Sequence, residues 1–465
     1  MNYLGKKILL ATALSCIACV SFAQSSASSA SSASSVSVSA TGSANEANVL
    51  QSSVTNAKVI ITQSGEHNQI GSNAAGEDSG VVQKNSVNVT ATVDQTGVGS
   101  SASIKQHDDS DSQVTLAQGD KAEANHASVE QSGAKNTLSI EQSGRGNSIN
   151  FSQAGIHTQA TIKIDNSADA RLEITQKADD AILNISQADS SHSLLNISQD
   201  GSLHQLDVFQ VNVSGDSNLS VKQSGTAQQA TIGQRDVYIA NVSLQQNGDT
   251  NQAVISQSGI AGSGFIQLSQ DGNSLSAGIL QTSFSSAAKN DIYRATLTQT
   301  GDRISAQITQ AGGTEMRASL GQSGHDLNAT ITQQYAGKQS ADIIQTGDNN
   351  TALITQNHGT EVQANIEQHG SRLNATITQD NAGNSSASII QSDATAMIAL
   401  ITQGGTYNAA DITQAGQNNH ATITQLGNGS GVEGLNRASI NQISSNNVAL
   451  IAQTGSQHQT RIVQR

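Results

Sequence analysis

Gln345-Thr346-Gly347-Asp348-Asn349-Asn350-Thr351-Ala352-Leu353-Ile354-Thr355-Gln356 reads as one turn and one short strand, bounded by glutamine at both ends. Glutamine returns at Gln368, Gln379, Gln391, Gln403, Gln414 and Gln425, and earlier at Gln131, Gln142, Gln153, Gln176, Gln187, Gln199 and Gln210. The step is mostly 11 or 12 residues and sometimes 13. A fixed short period means that one small unit is stacked many times. A chain built almost wholly of one unit leaves little room for a catalytic site.

The unit is a strand and not a turn of helix. Ala352, Ile354 and Gln356 alternate with Leu353 and Thr355, a period of two. A step that wanders among 11, 12 and 13 scrambles a helical stripe but only lengthens a turn. Ile, Val and Thr punctuated by Gly and Asn is strand-and-turn chemistry. The sequence therefore predicts an all-β fold, a β-solenoid whose rungs run strand-turn-strand-turn over 23 residues, the step from Gln345 to Gln368. Gln345, Gln368, Gln391 and Gln414 then stack on one side of the rung, and Gln356, Gln379, Gln403 and Gln425 on the other.

The fullest motif is Gln-x4-Asn-x5-Gln. It occurs as Gln131/Asn136/Gln142, Gln142/Asn147/Gln153, Gln246/Asn251/Gln257, Gln345/Asn350/Gln356, Gln403/Asn408/Gln414, Gln414/Asn419/Gln425 and Gln442/Asn447/Gln453. Parity points Asn419, Ala421, Ile423 and Gln425 inward together. A buried amide is costly unless it is hydrogen-bonded. Stacking removes the cost if each amide donates to its copy on one neighbouring rung and accepts from the other. A glycine sits two residues after the first glutamine at Gly133, Gly144, Gly248, Gly347, Gly405 and Gly416, where a turn needs positive φ. These glutamines, asparagines and glycines are the candidate functional residues, and their expected role is structural. Three slots break the pattern: Ile164 falls where a glutamine belongs, and Leu327 and Leu373 fall where asparagines belong. His458 takes another asparagine slot.

Composition agrees with strand throughout. Proline and tryptophan are absent and aromatics are 2% of 465 residues. Proline cannot donate to a β ladder, so a nearly all-strand chain should exclude it. The N-terminus reads as a secretory signal peptide over 1–23: Lys6 and Lys7, an apolar run Ile8 to Val20, and Ser21-Phe22-Ala23 before the cut. Both cysteines, Cys16 and Cys19, lie inside it, so the secreted chain has no disulfide or thiolate chemistry. Losing Lys6 and Lys7 takes the net charge from −14 to −16, which disfavours nucleic-acid binding. Residues 24–53 read as a Ser/Ala-rich flexible leader. The repeat solenoid is expected over 54–465, with enlarged turns near 71–80, 282–295 and 427–436. The repeat runs to Gln464-Arg465 without a capping pattern, and an uncapped end is a template for another chain.

At these residues the chain resembles the curlin repeat of the curli fibre subunits, the bacterial extracellular amyloid. The match is closest over Gln345 to Gln356 and Gln414 to Gln425, and weaker copies extend over most of 54–465. The resemblance implies a structural subunit of a secreted, cell-surface fibre that assembles end to end and serves adhesion and biofilm matrix. It implies partners as well: further copies, other curlin-type subunits, an outer-membrane secretion pore and a periplasmic chaperone. The array is several times longer than the family's usual set of repeats, and the Ser/Ala leader differs from the family's Gly-rich targeting segment.

Other chemistries find less support. Serine is abundant, but no Gly-x-Ser-x-Gly elbow or histidine–acid pairing supports a nucleophile. The scattered histidines lack metal spacing. Asp108, Asp109 and Asp111 read as an acidic turn whose charge slows premature assembly, with weak calcium binding as the other reading. No enzyme activity, cofactor, metal or membrane insertion is expected. Outward Thr-x-Thr pairs at Thr330/Thr332, Thr376/Thr378 and Thr422/Thr424 give the alternative reading, a monomeric solenoid adhesin or a glycan- or ice-binding protein.

Overall fold

A computed structural model of the chain describes residues 23–28, 34–71, 80–119, 121–215, 217–260, 262, 264–282, 293–335, 337–431 and 434–465. The signal-peptide segment and most of the turns expected at 71–80 and 282–295 lie outside the described residues. The chain forms two compact units, Met1–Ala227 and Gln228–Arg465. Each is a β-solenoid of parallel stacked rungs, with no α-helix among the described residues.

A strand pairs with the strand one full rung later and not with its sequence neighbour. In the second unit Thr351–Asn357 pairs in parallel with Asn374–Gly383, setting Ala352 on Ala375, Ile354 on Ile377 and Gln356 on Gln379. In the first, His126–Ala134 pairs with Ser148–Ile156, setting Val129 on Phe151 and Gln131 on Gln153. Like stacks on like because the register repeats. Alternate residues of each strand point to opposite faces, so Ala352, Ile354 and Gln356 are buried while Leu353 and Thr355 between them are half-buried on the outer face. The core is thin, filled from both strands of a rung by rows of Ile, Val, Leu and Ala. Each fully buried Ile contributes about 1.5–3 kcal/mol.

Two corner designs set the step length. An 11-residue step turns at a glycine two after the glutamine: Gly347 has φ +106° and Asn349, two residues on, has φ +56°. A 12-residue step carries two left-handed non-glycine residues three apart, as at Asn381 and Asn384 (φ +50° and +48°) or Asp393 and Ala396 (φ +49° and +55°). Between them one small residue turns inward, such as Ala382 or Ala394. Where the two corner types stack, the register shifts just after the glutamine, as between Gln368 and Gly370. The wandering period thus records an alternation of corner types.

The boundary of the predicted leader moves. Ser35–Ala40 and Glu46–Ser52 are strands, the second with Ala47, Val49 and Gln51 buried. Ser35-Val36-Ser37-Val38-Ser39 already alternates with period two; its Ser/Ala composition concealed a strand pattern. Between the strands that end at Leu426 and begin at Asn436, Ser430 donates its N–H to the Gly434 carbonyl (3.1 Å).

Candidate functional site

The predicted glutamines form two ladders in each unit. In the second unit one runs Gln246, Gln270, Gln299, Gln322, Gln345, Gln368, Gln391, Gln414, Gln442 and Gln464. The other runs Gln234, Gln257, Gln281, Gln310, Gln333, Gln356, Gln379, Gln403, Gln425 and Gln453. Each link is an Nε2–H donated to the Oε1 of the next rung, at distances such as 2.7 Å (Gln345 to Gln368) and 3.2 Å (Gln299 to Gln322). The second amide hydrogen reaches a backbone carbonyl one strand away, as from Gln368 to Thr351 at 3.1 Å. These glutamine links all run the same way, donor on the earlier rung and acceptor on the later.

In the first unit one ladder is continuous, from Gln51 through Gln83, Gln106, Gln131, Gln153, Gln176 and Gln199 to Gln223. The other runs Gln63, Gln95, Gln118, Gln142 and stops, because Ile164 lies in register between Gln142 and Gln187. Gln187 starts again by donating to Gln210 (3.1 Å), and its own Oε1 has no hydrogen-bond partner among the described residues. The same orphaned Oε1 marks Gln339, which stacks on Met316.

Apart from Asn436, which donates Nδ2–H to Asn408 Oδ1 (2.9 Å), the asparagines bridge rungs differently from the expected amide-to-amide stack. Asn350 Oδ1 accepts the backbone N–H of Leu373 on the next rung (3.0 Å), and its Nδ2 donates to the carbonyls of Thr346 (3.0 Å) and Gly370 (3.1 Å). Asn136, Asn147, Asn251, Asn408 and Asn419 repeat the clamp onto their own corner and the next. Asn447 is half-buried and holds Ser444. The shorter side chain sits at the corner, where backbone carbonyls turn inward, so it satisfies those. Leu327 joins Leu275 and Ile304 in a dry corner, as Leu373 does with Ala394 and Met397.

The candidate glycines have a second reason to be glycine. A Cβ on Gly347 would lie 1.9 Å from the carbonyl oxygen of Gly370, and one on Gly133 would lie 2.0 Å from that of Gly155. Corners stack backbone on backbone, so a side chain at Gly347 or Gly133 would run into the carbonyl of the next corner.

Several participants escaped the motif. His204 is buried and contacts the Asp200 carbonyl through Nε2 (3.0 Å), four residues back, as the corner asparagines do. Burial holds its pKa below the ordinary histidine value. His458 makes the same contact to Thr454 (3.0 Å). At solvent-exposed positions, histidines face carboxylates on the adjacent rung: His107–Glu130 (2.8 Å), His157–Asp180 (3.6 Å), His325–Asp302 (3.5 Å) and His358–Asp380 (3.7 Å). The signal was a spacing of one rung, visible only once the rung length is known. Asp109 does not share the surface charge expected of the acidic turn: it is 2% exposed. Asp108 and Asp111 are the left-handed pair of a 12-residue corner and stay outside, so Asp109 turns in. It accepts from Ser112 Oγ at 2.6 Å, its Oδ2 has no partner among the described residues, and burial pushes its pKa up to about 6.

Residues 399–427 match the curlin associated repeat. That window contains Gln403, Asn408, Gln414, Asn419 and Gln425, the residues of two consecutive full motifs and two corner clamps. The match supports the family resemblance, and the curlin-type repeat with its β-solenoid fold is compatible with a curli-like structural subunit. No curated protein matches the chain. No helix among the described residues is long and apolar enough to cross a membrane. They hold no cluster of three or more histidine, cysteine or acidic side chains able to bind a metal.

Proposed function

We propose that this protein is a structural subunit of a secreted curli-like amyloid fibre. It self-assembles end to end at the cell surface for adhesion and biofilm matrix, and has no catalytic activity. The observation that carries the reading is the pair of one-directional glutamine ladders. A stack in which each rung donates forward and accepts from behind is extended by any further rung of the same form, including one from another chain. In-register cross-β repeats without proline are the pattern that supports such growth. The partners on this reading are further copies and other curlin-type subunits, with a secretion pore and a chaperone for export.

The test is thioflavin-T fluorescence of chain 24–465 released from denaturant, with electron microscopy at the end point. Fibres that grow after a lag, and without one when seeded, are expected. A stable β-rich monomer at micromolar concentration over days would sink the reading.

A second reading rests on one observation. Thr309, Thr332, Thr355, Thr378, Thr402 and Thr424 lie in register on consecutive strands of one outward face. A flat threonine column suits glycan or ice binding by a monomeric solenoid. Glycan-array binding or thermal hysteresis by monomers that never form fibres would put this reading first.

A further inference from the structure

The glutamine ladders have a polarity, and polarity gives a stack two unlike sides. The side toward earlier rungs presents Oε1 acceptors; the side toward later rungs presents Nε2 donors. Where a ladder begins inside a stack, the first acceptor is stranded, as at Gln187 under Ile164. Gln63 is a second such start. It is 1% exposed, it donates to Gln95 (2.9 Å), and its Oε1 has no partner among the described residues. The residue in register above it is Ala40.

Gln187 is enclosed by rungs on both sides. Gln63 lies beneath the strand Ser35–Ala40, for which the one pairing among the described residues is with Lys58–Gln63. That strand carries no amide side chain and no charge. Its inward Val36 and Val38 are only half-buried, whereas Val59 and Ile61 below them are closed off from solvent. Backbone bonds such as Ser35 N–H to Ala57 O (2.9 Å) and Thr41 N–H to Gln63 O (2.8 Å) hold it in place. This serine-rich strand fits the edge but adds little side-chain contact and leaves the ladder's first acceptor empty.

We propose that Ser35–Ala40 is an autoinhibitory cap over the acceptor side of the ladder. Displacing it opens that side to the donor side of a glutamine rung from a second copy of this chain. The incoming strand sets glutamine where Ala40 stood, and its Nε2 donates to Gln63 Oε1. Gln425 to Gln453 and Gln442 to Gln464 are links of the kind such a contact repeats. The cap keeps single chains apart until a rung able to complete the ladder competes it away. The proposal rests on the fibre reading above and adds what gates it.

The experiment pins the cap reversibly. Ser39 and Thr62 are register partners on the outward face, within the Cα separation a disulfide spans across adjacent strands. Full chains carrying Ser39→Cys and Thr62→Cys, with Cys16 and Cys19 changed to serine, are added to preformed seeds, oxidised or reduced. Seed extension at least about tenfold slower when oxidised, restored by reductant, is expected. Equal non-zero rates in the two states overturn the cap and leave the fibre reading standing; no fibres in either state overturn both. A monomer measurement guards against misfolding artefacts: Ala40→Gln fills the empty acceptor, so amide exchange over residues 58–63 should slow about fivefold, one hydrogen bond's worth. Unchanged exchange there also counts against the cap.

Discussion

Gln142–Ile164–Gln187 and Gln356–Gln379–Gln403 are the same stretch of ladder, one broken and one whole. In the whole one each buried amide both gives and receives, through Gln356 to Gln379 (2.9 Å) and Gln379 to Gln403 (2.8 Å). In the broken one Ile164 packs well, 1% exposed, yet strands the Oε1 of Gln187 below it. Gln142 above keeps the backbone bond that intact rungs also make, to the His126 carbonyl at 3.3 Å, and loses its forward link. An apolar residue in a ladder therefore satisfies itself and harms its neighbours. The damage is asymmetric. The donor side still holds a backbone carbonyl, which has two lone pairs and can accept twice. The acceptor side needs an N–H, and each backbone N–H has one hydrogen, already committed to the strand ladder.

The comparison can be broken by importing the defect. Gln368→Ala in the second unit removes the links from Gln345 and to Gln391 and leaves a cavity; two buried amides lose partners at about 1–3 kcal/mol each, so a loss of about 4 kcal/mol is expected. Denaturant unfolding measures it, and a loss below about 1 kcal/mol would mean that the ladder contributes little. Gly347→Ala attacks the corner instead. With φ +106° and a carbonyl oxygen 1.9 Å from the new Cβ, about 3 kcal/mol should be lost. The same substitution at Gly278, whose added Cβ meets nothing within 4 Å, is the neutral control.

Asp109 sharpens the contrast through pH. Its pKa in the folded chain, about 6, lies above the ordinary 3.8, so the folded state holds the proton more tightly than the unfolded state. The associated stability is fully present below pH 3.8 and is lost as pH rises through about 6. Asp109→Asn should flatten that slope and raise stability at pH 8 by on the order of 2 kcal/mol. Unfolding midpoints from pH 4 to 8 decide it, and parallel slopes in mutant and parent would rule it out. The smallest effect is the repair. Ile164→Gln restores the ladder between Gln142 and Gln187, gaining hydrogen bonds but losing apolar burial, for a net gain of about 1 kcal/mol. A net loss would show that Ile164 is worth more to the core than two amide bonds.

Much of the fold and of the ladders is legible in the residues alone. The glutamine period sets both ladders and their partners, and parity puts Asn419, Ala421, Ile423 and Gln425 inside. What stays hidden has a common cause. The 12-residue corner turns on left-handed residues that are not glycine, such as Asp393 and Ala396, and no side-chain code announces them. Asp109 looks like its exposed neighbours because its inward turn depends on that corner. The strand at Ser35–Ala40 is concealed because small polar residues signal flexibility when no neighbour is known to pair with them. The asparagine clamps cannot be told from amide ladders, since both require only that asparagine recur in phase.

By itself the sequence determined the rung, its register and the identity of the stacked residues, because a period in residues becomes a period in space once strands repeat in parallel. Tertiary structure alone decided the direction of the amide chain, the places where it is stranded, and what covers its first acceptor. A hydrogen bond has a sense and a sequence period has none, so the polarity of the ladder exists only where rungs meet.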